Sequence, residues 1–353
     1  MSGPPVNVVY NGARTPLGTH AAASAAAYCA GINGTREHPF FLDQCGTPLL
    51  GAIDSAIEPG LSGTERLLAL AEPALKEACE PLNDTGGRRF RVPLYLGLPA
   101  IRPGFSLQDV TAVRNSLSNI NCRSVELADV VLFSSGHAAG FSALALAADK
   151  VREGACDVCL VGGVSSYFQI ETLSWLDSNR QLVGGASRSG FVPGEGAGFC
   201  LIMSETARQQ CGLPVLARVL AVATSQETSL IKTSDVNLGK GLTAAAEQVL
   251  DANGSSINRV DTVINDVNGE RYRIEEWGLA SLRLSDKFSE STTYHTPADC
   301  WGDVDAASCP LYVMLACQSA ARKHTGGQHT LLLAGSENGL RGAAMLETAW
   351  LDD

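Results

Sequence analysis

The residue best placed to do chemistry is a histidine. In "VVLFSSGHAAGFSALALAADKV" (130–151) an apolar run ends in small residues, His137 follows, and an Ala-rich helical stretch begins. A side chain at such a junction sits at the positive end of a helix dipole, where many enzymes present a nucleophile. A neutral imidazole there could act as a base or attack an acyl group; a protonated one would pair with carboxylates.

Two other patterns invite a chemical reading. Cys156 and Cys159 form a C-x-x-C, the spacing of metal and redox motifs. "DVCLVGGVSS" reads as a buried strand, on which side chains three apart point to opposite faces. No second C-x-x-C or His pair completes a site, so core thiols are expected and no metal. Gly194, Gly196 and Gly198 in "GFVPGEGAGFCLIM" resemble a phosphate-cradling run, but a dinucleotide fingerprint needs its glycines between a strand and a helix. These lead into a strand, which makes them a structural loop and leaves no cofactor to expect. His20, His38, His295, His324 and His329 fall in no motif and are expected at the surface or in loops.

The elements that must position these residues alternate along the chain. Strands are expected at Val6–Tyr10, Val92–Leu98, Val130–Phe133, Asp157–Val164 and Gly198–Met203. Helices are expected at Ala21–Ala30, at Ser62–Cys79 with a kink or break at Pro73, and at 137–153. The order then recurs: strand Val215–Thr224, helix Leu242–Ala252, strand Thr262–Val267, helix Ala306–Arg322, strand Thr330–Ala334 and a closing segment Ala343–Ala349. Alternating elements with continuous apolar strands imply a layered α/β fold with buried sheets. Two pseudo-symmetric halves, 1–210 and 211–353, would form one compact body.

The 353 residues carry a formal net charge of −11, which argues against a nucleic-acid or anionic-membrane partner. No apolar run is long enough to span a bilayer, and no signal peptide is evident at the N-terminus. The 11 cysteines are scattered and odd in number, the pattern of reduced thiols in a cytoplasmic protein.

Three segments together resemble the thiolase superfamily, and within it the β-ketoacyl synthases of fatty-acid and polyketide assembly. "VNVVYNGARTPLGTHAAASAAAYCAGING" is similar to their opening strand and first helix, and "GHAAGFSALALAADKVREGACDVCLVGGVSS" to the nucleophile helix and the strand after it. "SRSGFVPGEGAGFCLIMSETARQQCG" is similar to their Asp-Arg-Asp-Gly-Phe-Val-x-Gly-Glu-Gly-Ala-Gly segment. The resemblance implies a layered αβαβα fold. It also implies a cysteine nucleophile, two histidines that donate to an enolate oxygen, and a lysine.

Carried over residue by residue, the resemblance puts His137 at the nucleophile, with Gly140 and Ala143 keeping the family spacing. "VDTVINDVNGE" puts Asp266 at the first histidine. "ADCWGDVDAASC" puts Asp303 at the second histidine and Ala298 at the lysine. "AGSENGLRG" matches the closing glycine loop, keeping Gly339 and Gly342 and losing both aromatics. All four chemical groups are therefore changed. A carboxylate with an ordinary pKa of about 3.9 has no proton to donate near neutral pH, and the loss of one oxyanion donor alone costs on the order of 10²–10³ in rate. Decarboxylative condensation is not expected.

If the family geometry holds, His137, Asp266 and Asp303 converge, and a histidine among carboxylates would be cationic. The expected function is a catalytically degenerate binding or scaffold subunit. It would form a homodimer or heterodimer through strand 128–135, with a synthase subunit, a carrier protein or a type VI secretion effector as partner. The alternative is an acyl-thioester hydrolase or acyltransferase using His137. Trp175 falls where the family covers its pocket mouth, though a packed core position is equally open to it.

Overall fold

A computed structural model describes residues 4–349 apart from 86, 186, 232, 234, 253–258 and 325–326. Its first half runs β1 (Val6–Arg14), α1 (Ala21–Cys29), β2 (Thr35–Leu42), β3 (Pro48–Ala52), α2 (Gly63–Cys79) and β4 (Phe90–Leu98). It continues through α3 (Leu107–Ser118), β5 (Val125–Ser134), α4 (Ala139–Arg152), β6 (Val158–Ser166), α5 (Ile170–Ser178), β7 (Glu195–Ser204) and α6 (Glu205–Cys211). The second half runs β8 (Ala217–Gln226), α7 (Lys240–Asp251), β9 (Val260–Ile264), α8 (Arg271–Arg283) and β10 (Phe288–His295). It closes with α9 (Ala298–Trp301), α10 (Ser308–Ala321), β11 (His329–Gly335) and β12 (Leu340–Thr348).

Ten strands are hydrogen-bonded in the order β10-β9-β11-β12-β8-β1-β7-β6-β4-β5. The two halves have the same plan. Within each, the second strand pairs in parallel with the third and fourth, β4 with β5 and β6, β9 with β10 and β11. The fifth strand then returns antiparallel between the fourth and the first. The two half-sheets are joined by the pairing of Asn7 with Arg218 and Val8 with Ala217 of β1 and β8.

Helices α4 and α10 lie between the half-sheets. Phe141, Leu144, Leu311 and Leu315 share one buried cluster with Val8 and Ile202 of the first half and Leu332 and Leu346 of the second. A second cluster packs α2 and α3 on the outer face of the first half-sheet, and a third packs α7 on the outer face of the second. The result is a five-layer αβαβα arrangement, the mixed α/β class expected from the alternation of elements. Close contact between layers needs small residues: a Cβ at Gly163 of β6 would lie 2.3 Å from the Ala306 carbonyl oxygen.

Some local expectations change. Pro73 sits inside an unbroken α2. The helix expected to begin at His137 begins at Ala139, after a tight 3₁₀ turn over Gly136–Ala138. The strand expected at Thr262–Val267 ends at Ile264, which leaves Asp266 in the loop beyond it. His38, His295 and His329, expected at the surface or in loops, lie in β2, β10 and β11, and His295 shares a hydrogen bond of 3.1 Å with the Tyr28 hydroxyl. Cys156 lies before β6, not on it, and a bend at Asp157 turns it into the cluster that holds Cys159, so the two side chains do not diverge. All 11 cysteines are free thiols. Among the described residues, no helix is long and apolar enough to cross a membrane.

Candidate functional site

His137 is held where three chain segments meet. β5 ends at Ser134, and Gly136 (φ 74°) turns the chain into the 3₁₀ step. That left-handed conformation favours glycine, and a Cβ there would also stand 3.0 Å from an Asp305 carboxylate oxygen. The Ala138 amide donates to Ser336 Oγ at 2.9 Å, tying the start of the helix to the loop after β11. The His137 side chain is thereby directed inward and is buried.

Asp303 meets it there. The segment before α10 bridges to the glycine loop, with the Gly194 amide donating to the Asp303 carbonyl at 2.9 Å and the Asp303 amide to Val192 at 2.8 Å. Gly194 has to be small, because a Cβ would lie 2.5 Å from the Trp301 carbonyl oxygen. So held, the Asp303 carboxylate sits 2.8 and 2.9 Å from His137 Nε2. It also accepts from Asn268 Nδ2 at 2.6 Å, from the Tyr167 hydroxyl at 3.1 Å and from the Asp305 amide at 2.8 Å. The other face of the imidazole has its own acid: His137 Nδ1 is 3.4 Å from Asp305 Oδ1. Asp305 in turn accepts from Arg102 at 2.9 Å and from Ser165 at 3.1 Å.

Asp266 joins the cluster at one remove. It does not touch the imidazole; it is ion-paired with Arg273 of α8 and accepts from the Gly335 amide at 2.7 Å. Arg273 is also 3.3 Å from Glu270. Its Nη2 lies 3.3 Å from His137 Nε2 and 3.4 Å from Nδ1. The guanidinium is within hydrogen-bond reach of both ring nitrogens. Arg273 is thus the hub between the two acidic groups, and sequence reasoning missed it because an arginine among the charges of "NGERYRIEEWG" looks like a solvated helix charge. The carboxylates Asp266 and Glu270 within seven residues of it were the available signal.

The remaining assigned positions divide. Ala298 is half-buried in the first turn of α9. Gly196 and Gly198 lie in β7, where a Cβ would meet the Arg14 oxygen at 3.1 Å and the Leu311 nitrogen at 3.0 Å. Gly339 would meet Gln226 Nε2 at 2.3 Å, and Gly342 the Phe141 ring at 2.4 Å. All are positions of close approach. Among the described residues, no group of His, Cys, Asp or Glu has the geometry to hold a metal ion.

A cavity of about 370 Å³ opens beside His137, lined by Arg102, Asp305 and Glu337 together with Tyr167, Trp175 and Phe191. Trp175 therefore lines the pocket while remaining half-buried.

The charges decide what His137 can do. Burial and the Arg273 charge both oppose its protonation, but Asp303 and Asp305 outweigh them, so its pKa is raised above the ordinary 6.5. Burial disfavours the ionised form of Asp303, yet His137, Arg273 and Asn268 hold that carboxyl well below the usual carboxylate range. In its protonated form the imidazole has no lone pair with which to attack a carbonyl or take a proton.

The sign of the pH dependence follows. The histidine's raised pKa gives stability that is complete below about 6.5 and is lost as pH climbs through the folded value. The depressed Asp303 gives stability that is complete above about 4 and is lost as pH falls through its folded value. The stability difference between wild type and His137→Asn, from urea unfolding, is expected to be greatest between these limits and to shrink on either side. A difference that grew as pH rose above 6.5 would contradict a charged His137.

The fold is that of the thiolase-like ketosynthases, and residues 128–207, which carry His137 and the glycine loop, match the family described as Beta-ketoacyl synthase, N-terminal domain. The ishigamide ketosynthase/chain length factor is similar at TM-score 0.80 and 16% identity, covering 99% of this chain and 100% of that one. The AntDE:AntF assembly, a type II PKS acyl-carrier protein in complex with its ketosynthase bound to the hexaketide, is similar at 0.79 and 15%, covering 99% and 100%. The ketosynthase from module 6 of the bacillaene synthase of Bacillus subtilis 168 is similar at 0.77 and 14%, covering 98% of this chain and 72% of that one. At these identities the likeness establishes the fold. No curated protein matches the sequence.

Proposed function

We propose that this chain is a non-catalytic, ketosynthase-like subunit that binds a partner and does not turn over acyl thioesters. The observation that carries the reading is the His137 cage: Asp303 at 2.8 Å on one nitrogen, Asp305 at 3.4 Å on the other, and Arg273 within hydrogen-bond reach of both. The groups around His137 are poorly suited to a developing enolate. Asp303 and Asp266 are acceptors, and the nearest donor, Arg273, is already ion-paired with Asp266 and Glu270. The hydrolase reading needs a neutral imidazole with a free nitrogen; burial and Arg273 favour the neutral ring, but Asp303 and Asp305 oppose it and Asp303 occupies Nε2.

The partner surface in this reading is β5. It is the edge strand of the ten-stranded sheet, and Val130, Val131, Leu132 and Phe133 are each only half-buried. An apolar edge strand of ten residues is a pairing template unless something covers it. Among the similar structures, one is named as a ketosynthase/chain length factor and another as a ketosynthase in complex with a carrier protein. A second subunit of the same fold, either another copy or a synthase, is the partner this edge fits. The cavity beside His137 would then be a binding or shape-setting element.

The test is direct. Incubation with acyl-coenzyme A and acyl-phosphopantetheine thioesters is expected to give no thiol release above the buffer rate, with His137→Ala indistinguishable from wild type. Turnover that disappears in His137→Ala would overturn the reading in favour of the hydrolase.

A further inference from the structure

The function proposed above leaves the Cys156-x-x-Cys159 pair unused. Its geometry differs from that of two residues on one extended strand. Cys156 precedes β6, its amide bonds to the Lys150 carbonyl at 3.3 Å at the end of α4, and the bend at Asp157 folds it toward Cys159. Cys159 belongs to the cluster between the half-sheets, and Cys156 packs against that same cluster from outside. One thiol is half-exposed and the other fully buried behind it.

We propose that Cys156 and Cys159 form a peroxide-responsive dithiol that closes to an intramolecular disulfide linking the end of α4 to β6. The Cys156 thiolate attacks one oxygen of a hydroperoxide; the O–O bond breaks, Cys156 becomes a sulfenic acid, and hydroxide leaves with the proton that Cys156 lost. The Cys159 thiol then attacks the Cys156 sulfur. An S–S bond forms, the S–O bond breaks, and the Cys159 proton leaves with the hydroxyl as a second water. Two thiols are oxidised by two electrons and one hydrogen peroxide is reduced to two waters.

The asymmetry of the pair suits this order of events. The two thiols interact side chain to side chain, and this lowers the pKa of Cys156, with burial and Asp157 opposing the shift and Lys150 assisting it. The same interaction and burial raise Cys159. Redox-sensing cysteines combine access, thiolate character and a resolving neighbour; Cys156 is half-exposed, stands beside Cys159, and its pKa is shifted in the direction that favours the thiolate. Cys79 and Cys122 are also neighbours, but both are buried and closed to an oxidant.

The experiment uses the full-length reduced protein and hydrogen peroxide, followed by alkylation under denaturing conditions and trypsin. The tryptic peptide Glu153–Arg180 contains Cys156 and Cys159 and no other cysteine. Expected is the joint loss of both alkyl groups with a mass lower by two hydrogens, ahead of any change at the exposed Cys45, and its reversal by dithiothreitol. In Cys159→Ala, dimedone is expected to label Cys156. The proposal is overturned if Cys156 is oxidised while Cys159 stays alkylatable in the wild type, or if both remain alkylatable after Cys45 has reacted. The wild-type measurement decides even if Cys159→Ala does not fold.

Discussion

Replacing Asp303 with alanine is expected to destabilise the protein by about 3–5 kcal/mol in urea unfolding, the usual cost of leaving a buried charge without its partner. Asp303 is 4% exposed and is the closest acid to the buried His137. Its loss strands an imidazolium beside the Arg273 guanidinium and leaves the Asn268 amide, the Tyr167 hydroxyl and the Asp305 amide without their shared acceptor. Part of the cost would be relieved by His137 giving up its proton, which moves its pKa down. The double variant His137→Ala/Asp303→Ala is expected to be less unstable than the sum of the two single changes, because the coupling between them is removed only once. An Asp303→Ala protein within about 0.5 kcal/mol of wild type would show that the cage bears no structural role.

Leu132→Asp is expected to dissociate whatever assembly β5 supports, weakening it by about 100-fold, since a carboxylate buried at a strand-pairing edge keeps its desolvation cost without a partner. Leu132 lies in the half-buried apolar run of that edge. Native mass spectrometry or light scattering reads the change, with circular dichroism confirming the fold. Phe40→Asp supplies the control, because Phe40 is 73% exposed on the separate β2–β3 ribbon. An unchanged assembly mass in Leu132→Asp would show that β5 is not the interface.

Much of the architecture was legible because buried parallel strands are written as unbroken apolar runs, as in "DVCLVGGVSS" and "TLLLAG", separated by helices. What escaped notice is polar. β10, "FSESTTYH", lies at the far edge of the sheet, with hydroxyl side chains along it and no strand on its outer side. α8 buries Arg273 and Glu276 while Ile274 and Leu282 are exposed, so its inward face reads as surface. The pairing of His137 with Asp303 could be anticipated only from motif positions, since 166 residues separate them. The roles of Asp305 and Arg273 could not, because ion-pair partners are chosen by the fold and leave no periodicity. For the C-x-x-C, only the argument that the two side chains point to opposite faces failed, because the alternation rule holds on a strand and not where a bend precedes it.

The cage around His137 is tested most directly by ¹⁵N NMR of its ring. At pH 7, both nitrogens are expected to carry protons, with shifts of an imidazolium that persist as pH rises past 6.5, and in Asp303→Asn the transition is expected to move to lower pH. A neutral ring at pH 7, with one nitrogen bare and facing the cavity, would contradict the account and return His137 to the list of groups able to do chemistry.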